Sequence, residues 1–150
     1  VIVFVGEAPG GTLPVEAGAC WRRLAAVVGT TPAVLWQRAV LVNTLKRRPE
    51  RDGHGDAFPL KAARRAAVRL AGSALLTEAR MIVLVGRRVS RAFGVARQGY
   101  FVPFCLDAVH PAAASVVIPH PSGVNLWYND PQHRRLARRE LRQILGLESA

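Results

Sequence analysis

The sequence predicts an α/β fold, a three-layer α/β/α sandwich around a mainly parallel, four-stranded sheet. Three observations predict it. Short, nearly uninterrupted apolar runs recur at Val1–Val5, Ala39–Val42, Met81–Val85 and Ser115–Ile118. They have strand length, and the absence of polar alternation suits parallel strands covered on both faces. Longer segments with helical spacing lie between them, the sequence form of a sheet fed by helical crossovers. Finally, 150 residues, 50% hydrophobic and 21% charged, amount to one folded domain with one core, spanning 1–150. No internal repeat, linker or low-complexity tract divides it.

The first strand is Val1–Val5, stopped by Gly6. From about Val15 to Val28, Ala17, Leu24, Ala25, Val27 and Val28 recur at helical spacings with Arg22 and Arg23 facing away, and Gly29 closes the segment. A short helix follows Thr31-Pro32, where Thr caps and Pro opens the first turn. The second buried strand, Ala39–Val42, ends at Asn43. The polar stretch Lys46–Phe58, with Gly53-His54-Gly55-Asp56, is long enough to be a functional loop. Leu60–Ala79 reads as one long Ala-rich helix with Arg64, Arg65 and Arg69 outward. Met81–Val85 is the third strand, ended by Gly86 before a short helix through Phe93. Tyr100–Cys105 is a weak strand, broken by Pro103 and expected at an edge. Ser115–Ile118 is the last core strand, and the Pro and Gly of Pro119-His120-Pro121-Ser122-Gly123 fix a loop after it. Asp130 and Pro131 start a final helix that stops at Gly146. It gathers Arg134, Arg135, Arg138, Arg139 and Arg142 on one side, the usual pattern of a solvated face.

The charge is far from balanced. Lys plus Arg number 21 against 10 Asp plus Glu, a net charge of +11, so an anionic partner is the first to consider and nucleic acid leads. Because 19 of the 21 cations are Arg in an Ala-rich chain, a GC-rich coding bias is the competing explanation. Cys20 and Cys105 have neither the number nor the spacing of a zinc site or a disulfide framework, and both are expected to be reduced and buried. Arg interrupts every long apolar stretch, which leaves no membrane span, and no signal-peptide pattern is present. The expectation is a monomeric cytoplasmic protein. A chain that opens on Val inside a strand is expected to have lost its natural start.

In parallel α/β sheets ligands bind beyond the carboxyl ends of the strands. Three strands here end in polar or glycine-rich motifs: Gly6-Glu7-Ala8-Pro9-Gly10-Gly11, Asn43-Thr44-Leu45-Lys46-Arg47-Arg48-Pro49 and His120-Pro121-Ser122-Gly123-Val124-Asn125. Taken singly, each has an ordinary structural reading, since Gly and Pro end strands, Asn caps them and a His between prolines is often an exposed loop residue. Structural turns give no reason, however, to send a carboxylate, a carboxamide and an imidazole to one rim.

These three motifs, in this order and across the whole chain, resemble those of the uracil-DNA glycosylase superfamily. They are closest to the branch with Gly-Glu-x-Pro-Gly first and Asn-x-x-Lys-x-Arg-Pro second. The Ser-Gly-Val-Asn that ends the third motif is also similar to the mismatch-specific branch. The resemblance implies an enzyme that turns uracil or a related deaminated base out of DNA and hydrolyses its glycosidic bond, leaving an abasic site for base-excision repair. It implies that Asn43 reads the base, with Gly6 and Ala8 lining the pocket. Glu7 would orient or deprotonate the attacking water, and His120 would stabilise the departing base. Gly10, Gly11, Lys46, Arg47, Arg48, Ser122, Gly123 and Asn125 would meet DNA, and Val124, or else Leu126, would wedge into the vacated stack. No metal or organic cofactor is implied.

The chain departs from that branch in two ways. Leu13-Pro14-Val15 stands where the branch has a segment whose Phe stacks on uracil, and Trp21 reads better as core than as a substitute. Two cysteines cannot supply the four ligands of an iron–sulfur cluster, so none is expected. Three alternatives therefore stay open: a glycosylase for another modified base, a catalytically weak domain that binds DNA lesions, and a phosphate-binding enzyme acting on free nucleotides. Trp127, Tyr128 and Asn129 are equally suited to touching a flanking nucleotide or to seating the last helix. His110-Pro111 precedes its strand and belongs to the opposite rim.

Overall fold

The computed structural model describes residues 1–9, 18–52, 55–107, 109 and 113–148. Strand β1 (Ile2–Gly6) is apolar and buried along its whole length. It runs parallel to β2 (Val40–Asn43) on one side and to β5 (Met81–Val85) on the other. β5 in turn pairs in parallel with β7 (Ala114–Ile118), and β6 (Phe104–Cys105) closes the far edge antiparallel to β7. The sheet order is thus β2-β1-β5-β7-β6. A separate antiparallel pair, β3 (Arg51–Asp52) with β4 (Gly55–Asp56), lies in the polar stretch after β2.

Alternate residues of the inner strands point to opposite faces, and each face is covered. Ile2, Phe4, Val83, Val85, Val116 and Ile118 pack with α1 (Ala19–Val28), α2 (Pro32–Arg38) and α6 (Pro131–Leu145) through Leu24, Val28, Leu35 and Leu141. Val3, Val5, Ile82, Leu84 and Val117 pack on the other side with Ala71, Leu76 and Val89. Those three come from α3 (Leu60–Ala71), α4 (Ala74–Thr77) and α5 (Arg87–Ala92). The result is the expected three-layer sandwich.

Four expectations need correction. The main sheet has five strands rather than four, because Phe104–Cys105 joins β7 beyond the break at Pro103 while Tyr100 adds only a single bridge to Val117. β2 is apolar but not buried, since among the described residues no strand pairs beyond it and Val40 is 38% exposed. The helix expected over Leu60–Ala79 breaks at Gly72-Ser73, where glycine disfavours helix and the Ser73 hydroxyl donates to the Leu70 carbonyl at 2.6 Å. Cys20 and Cys105 are exposed. The helix expected from Val15 begins, among the described residues, at Ala19.

Helix ends follow the sequence signals. Thr31 accepts from the Val34 amide, Asp130 accepts from the Gln132 and His133 amides, and Gly29 and Gly146 close their helices at φ 76° and 64°. Trp21 is core, edge-on to Phe4 and Trp36. The arginine side of α6 is only partly solvated. Arg134 donates to the Tyr128 carbonyl, Arg138 to the Val27 carbonyl at 3.1 Å, and Arg142 to the Leu147 carbonyl, an i, i+4, i+8 row tied to backbone. No described helix is long and apolar enough to cross a membrane.

Candidate functional site

Strand order changes direction between β1 and β5, because β2 lies on one side of β1 and the remaining strands on the other. At such a switch point the loops beyond the carboxyl ends part and leave a crevice. The predicted carboxylate, carboxamide and imidazole stand at or just beyond the carboxyl ends of β1, β2 and β7.

The β1–β2 ladder continues past both strands and fixes the first two. The Thr44 and Leu45 amides donate to the Gly6 and Glu7 carbonyls at 2.9 and 2.8 Å. The buried Thr44 hydroxyl lies within hydrogen-bond distance of both carbonyls, at 3.1 and 2.8 Å. Gly6 stands opposite Asn43 in register, and a β-carbon on Gly6 would sit 2.6 Å from Asn43 Oδ1. The half-buried Asn43 carboxamide therefore occupies the space that a side chain at position 6 would fill.

His120 is held from several directions. Its own carbonyl accepts from the Ser122 amide at 2.9 Å and from Asn125 Nδ2 at 3.0 Å, while Asn125 Oδ1 accepts from the Trp127 amide at 3.1 Å. The preceding Pro119 carbonyl accepts from the buried Tyr128 hydroxyl at 2.8 Å. Burial, then the nearby Tyr100, push the Tyr128 phenol well above its usual range, so it remains a donor. Beside the ring, Gly86 at the end of β5 has φ +93°, and a β-carbon there would lie 3.0 Å from His120 Cβ.

Glu7 and His120 share a neighbour that the motifs did not single out. Arg88 Nη1 lies 3.4 Å from Glu7 Oε2, and its guanidinium stands over the Phe58 ring, 5.6 Å from the centroid. Burial foremost, with Arg88 adding to it and Glu7 opposing, holds His120 below the usual imidazole range. The shift favours the neutral ring, in which one nitrogen donates and the other accepts. From α1, the Arg23 guanidinium packs on the His120 loop, where a β-carbon on Gly123 would be 2.7 Å from Arg23 Nη2.

Of the other predicted residues, Ala8 and Ser122 are half-buried, and Lys46, Arg47, Arg48 and Gly123 are exposed on the loops that form the rim. Val124 and Leu126 are 89% and 71% exposed, the two bare apolar side chains beside the His120 loop. Asn125, expected to meet DNA, uses its carboxamide to staple that loop. Trp127 and Tyr128 seat the last helix: Trp127 stacks on His133 at 4.3 Å and packs edge-on to Tyr128. Gly10, Gly11, Leu13-Pro14-Val15 and His110-Pro111 lie outside the described residues.

Gly86, Arg88 and Arg23 escaped the motif reading. The one available signal was that Gly86 ends a parallel strand and so must reach the same rim. Among the described residues no three His, Cys, Asp or Glu side chains gather to hold a metal. A cleft of about 400 Å³ lies at the amino ends of β5 and β7, lined by residues that include Met81, Phe101, Val116, Arg80 and Glu140. It holds none of the predicted site residues. No family model and no curated protein matches this chain.

Proposed function

We propose that the chain is a DNA glycosylase of the uracil-DNA glycosylase kind, acting on uracil or a related deaminated base. The observation that carries the reading is the placement at the switch point: Asn43 opposite Gly6, Glu7 next in the chain and 3.4 Å from Arg88, and His120 packed against Gly86 at the end of β5.

The chemistry needs these groups. Uracil must leave the stack, at a cost of a few kcal/mol, before its glycosidic bond is reachable. In the proposed pose, the Asn43 oxygen accepts from uracil N3–H and its NH₂ donates to O4. Cytosine presents the reverse pattern and would leave both groups unpaired, at about 1–3 kcal/mol each. The C1′–N1 bond breaks with its electron pair passing to the base, and His120 donates a hydrogen bond to O2, where that charge collects. A neutral imidazole suits this, since it donates without handing over its proton. Water adds to C1′ of the oxocarbenium-like sugar while Glu7 orients it and takes its proton. The exposed Val124 and Leu126 suit a wedge that fills the gap left by the base, and Lys46, Arg47 and Arg48 suit backbone phosphates.

The test is direct. The protein is incubated with labelled single- and double-stranded oligonucleotides carrying uracil, hypoxanthine, xanthine or mismatched thymine, and abasic sites are cleaved with alkali. Strand breaks at uracil that vanish in Asn43→Ala and His120→Ala are expected. Breaks at another base alone would reassign the substrate. Salt-sensitive DNA binding with no break at any base would replace the enzyme by a lesion-binding domain.

A further inference from the structure

The first turn of α5 touches both reacting groups of the proposed site from one short stretch of chain. Gly86 packs against the His120 β-carbon, and two residues later Arg88 reaches Glu7 Oε2 at 3.4 Å. The Gly86 amide also donates to the Ile118 carbonyl at 2.8 Å, which ties the start of this turn to the strand that delivers His120. Glu7 sits just beyond the end of β1, where a charged partner fixes the orientation of a partly exposed carboxylate. Arg88 supplies one and is itself steadied over the Phe58 ring.

We propose that Arg88 is a positioning residue of this site, its guanidinium holding the Glu7 carboxylate on the His120 side of the crevice between β1 and β5. The inference rests on the glycosylase reading for its role in turnover, but not for the arrangement itself. Arg88 touches no reacting atom in this scheme; it acts through Glu7. Its positive charge also bears on His120, from the opposite sense to Glu7: Arg88 disfavours the imidazolium and Glu7 favours it. Among the described residues Glu7 and Arg88 act on the charge of His120 from the ends of β1 and β5, and Arg23 of α1 packs on the His120 loop at Gly123.

The experiment has an activity arm and an arm independent of activity. In single-turnover cleavage of a uracil-containing single-stranded oligonucleotide at saturating protein, Arg88→Gln is expected to lower the rate about 10- to 100-fold. Arg88→Lys restores part of the loss. The double variant Glu7→Gln/Arg88→Gln falls no more than about twofold below Glu7→Gln alone, because the second change removes a group that works through the first. In the other arm the His120 ring is titrated by NMR: its midpoint moves up in Arg88→Gln and down in Glu7→Gln, and the acid limb of the rate follows.

Weaker binding of the oligonucleotide by Arg88→Gln with an unchanged saturated rate would overturn the proposal and make Arg88 a phosphate contact. Additive losses in the double variant would overturn it too. If the wild-type protein cleaves no base, the glycosylase reading fails by itself. The NMR arm still decides the arrangement then, and a His120 midpoint that ignores both substitutions refutes it.

Discussion

Gly6→Ala is the sharpest perturbation of the proposed site, because it adds one methyl group where the Asn43 carboxamide already stands. The new carbon would be 2.6 Å from Asn43 Oδ1, and carbon–oxygen contacts in folded chains are rarely closer than 3.4 Å. The carboxamide has to retreat by about 0.4–0.8 Å to reach the 3.0–3.4 Å range. The fold has little reason to object. Gly6 is not among the glycines with positive φ, and removing glycine from the unfolded chain is worth about 0.4–1 kcal/mol in favour of the variant. The melting temperature is thus expected to stay within a few degrees of wild type. Base recognition is another matter, since a misplacement approaching 1 Å in a positioned group costs roughly 10²-fold in rate. The assay is single-turnover cleavage of a uracil oligonucleotide, paired with a thermal melt. Wild-type cleavage in Gly6→Ala would refute the assignment of Asn43 as the base reader. A collapsed melt would refute the claim that position 6 is sterically reserved for function rather than for folding.

Three more expectations follow from the same geometry. Gly86→Ala forces a non-glycine residue to φ +93° and against the His120 β-carbon. It should cost about 1–3 kcal/mol, seen as a drop of several degrees in a thermal melt, and should reduce cleavage as well. Val124→Ser removes an 89% exposed apolar side chain, so the melt should not move while cleavage falls on double-stranded but not on single-stranded substrate. Because burial and Arg88 hold folded His120 below its unfolded value of 6.5, the unfolded chain binds the extra proton first as pH falls. His120 therefore subtracts stability progressively as pH drops below about 6.5, and the loss levels off below its folded value. Melts of wild type and His120→Gln from pH 7.5 to 5 should show a steeper acid decline in the wild type.

Much of the architecture was legible because the inner strands are apolar without alternation, a pattern that only a sheet covered on both faces tolerates. β2 shows where that logic stops. Val40-Leu41-Val42 is as apolar as β5, yet it lies at an edge, since a short run carries no information about what pairs beyond it. The break at Gly72-Ser73 was hidden for a related reason: alanine on both sides keeps the helical spacing intact while one weak pair decides the outcome locally. The site was legible to the extent that parallel topology sends successive loops to one rim. That alone places Glu7, Asn43 and His120 at the same end of the sheet. Arg88 stayed invisible because a single arginine among 19 has no spacing to mark it, and its contact with Glu7 spans 81 residues of sequence. The staple made by Asn125 was not legible, because a polar side chain suits a ligand and a loop staple equally well until the loop's own donors and acceptors are paired.

The row of α6 arginines tied to backbone carbonyls changes how the +11 charge can be dissected. Arg134, Arg138 and Arg142 close carbonyls at Tyr128, Val27 and Leu147, whereas among the described residues the interleaved Arg139 pairs with the neighbouring Glu140. Removing Arg138 would unfasten the end of α1, the same helix that sets Arg23 against the His120 loop, so a drop in DNA affinity there would report a shifted scaffold. Neutralising Arg135 or Arg139 strips equal charge from the same helix without disturbing those bonds. That interleaving gives one helix a built-in pair of controls, one set reading electrostatic attraction to a polyanion and the other reading the frame.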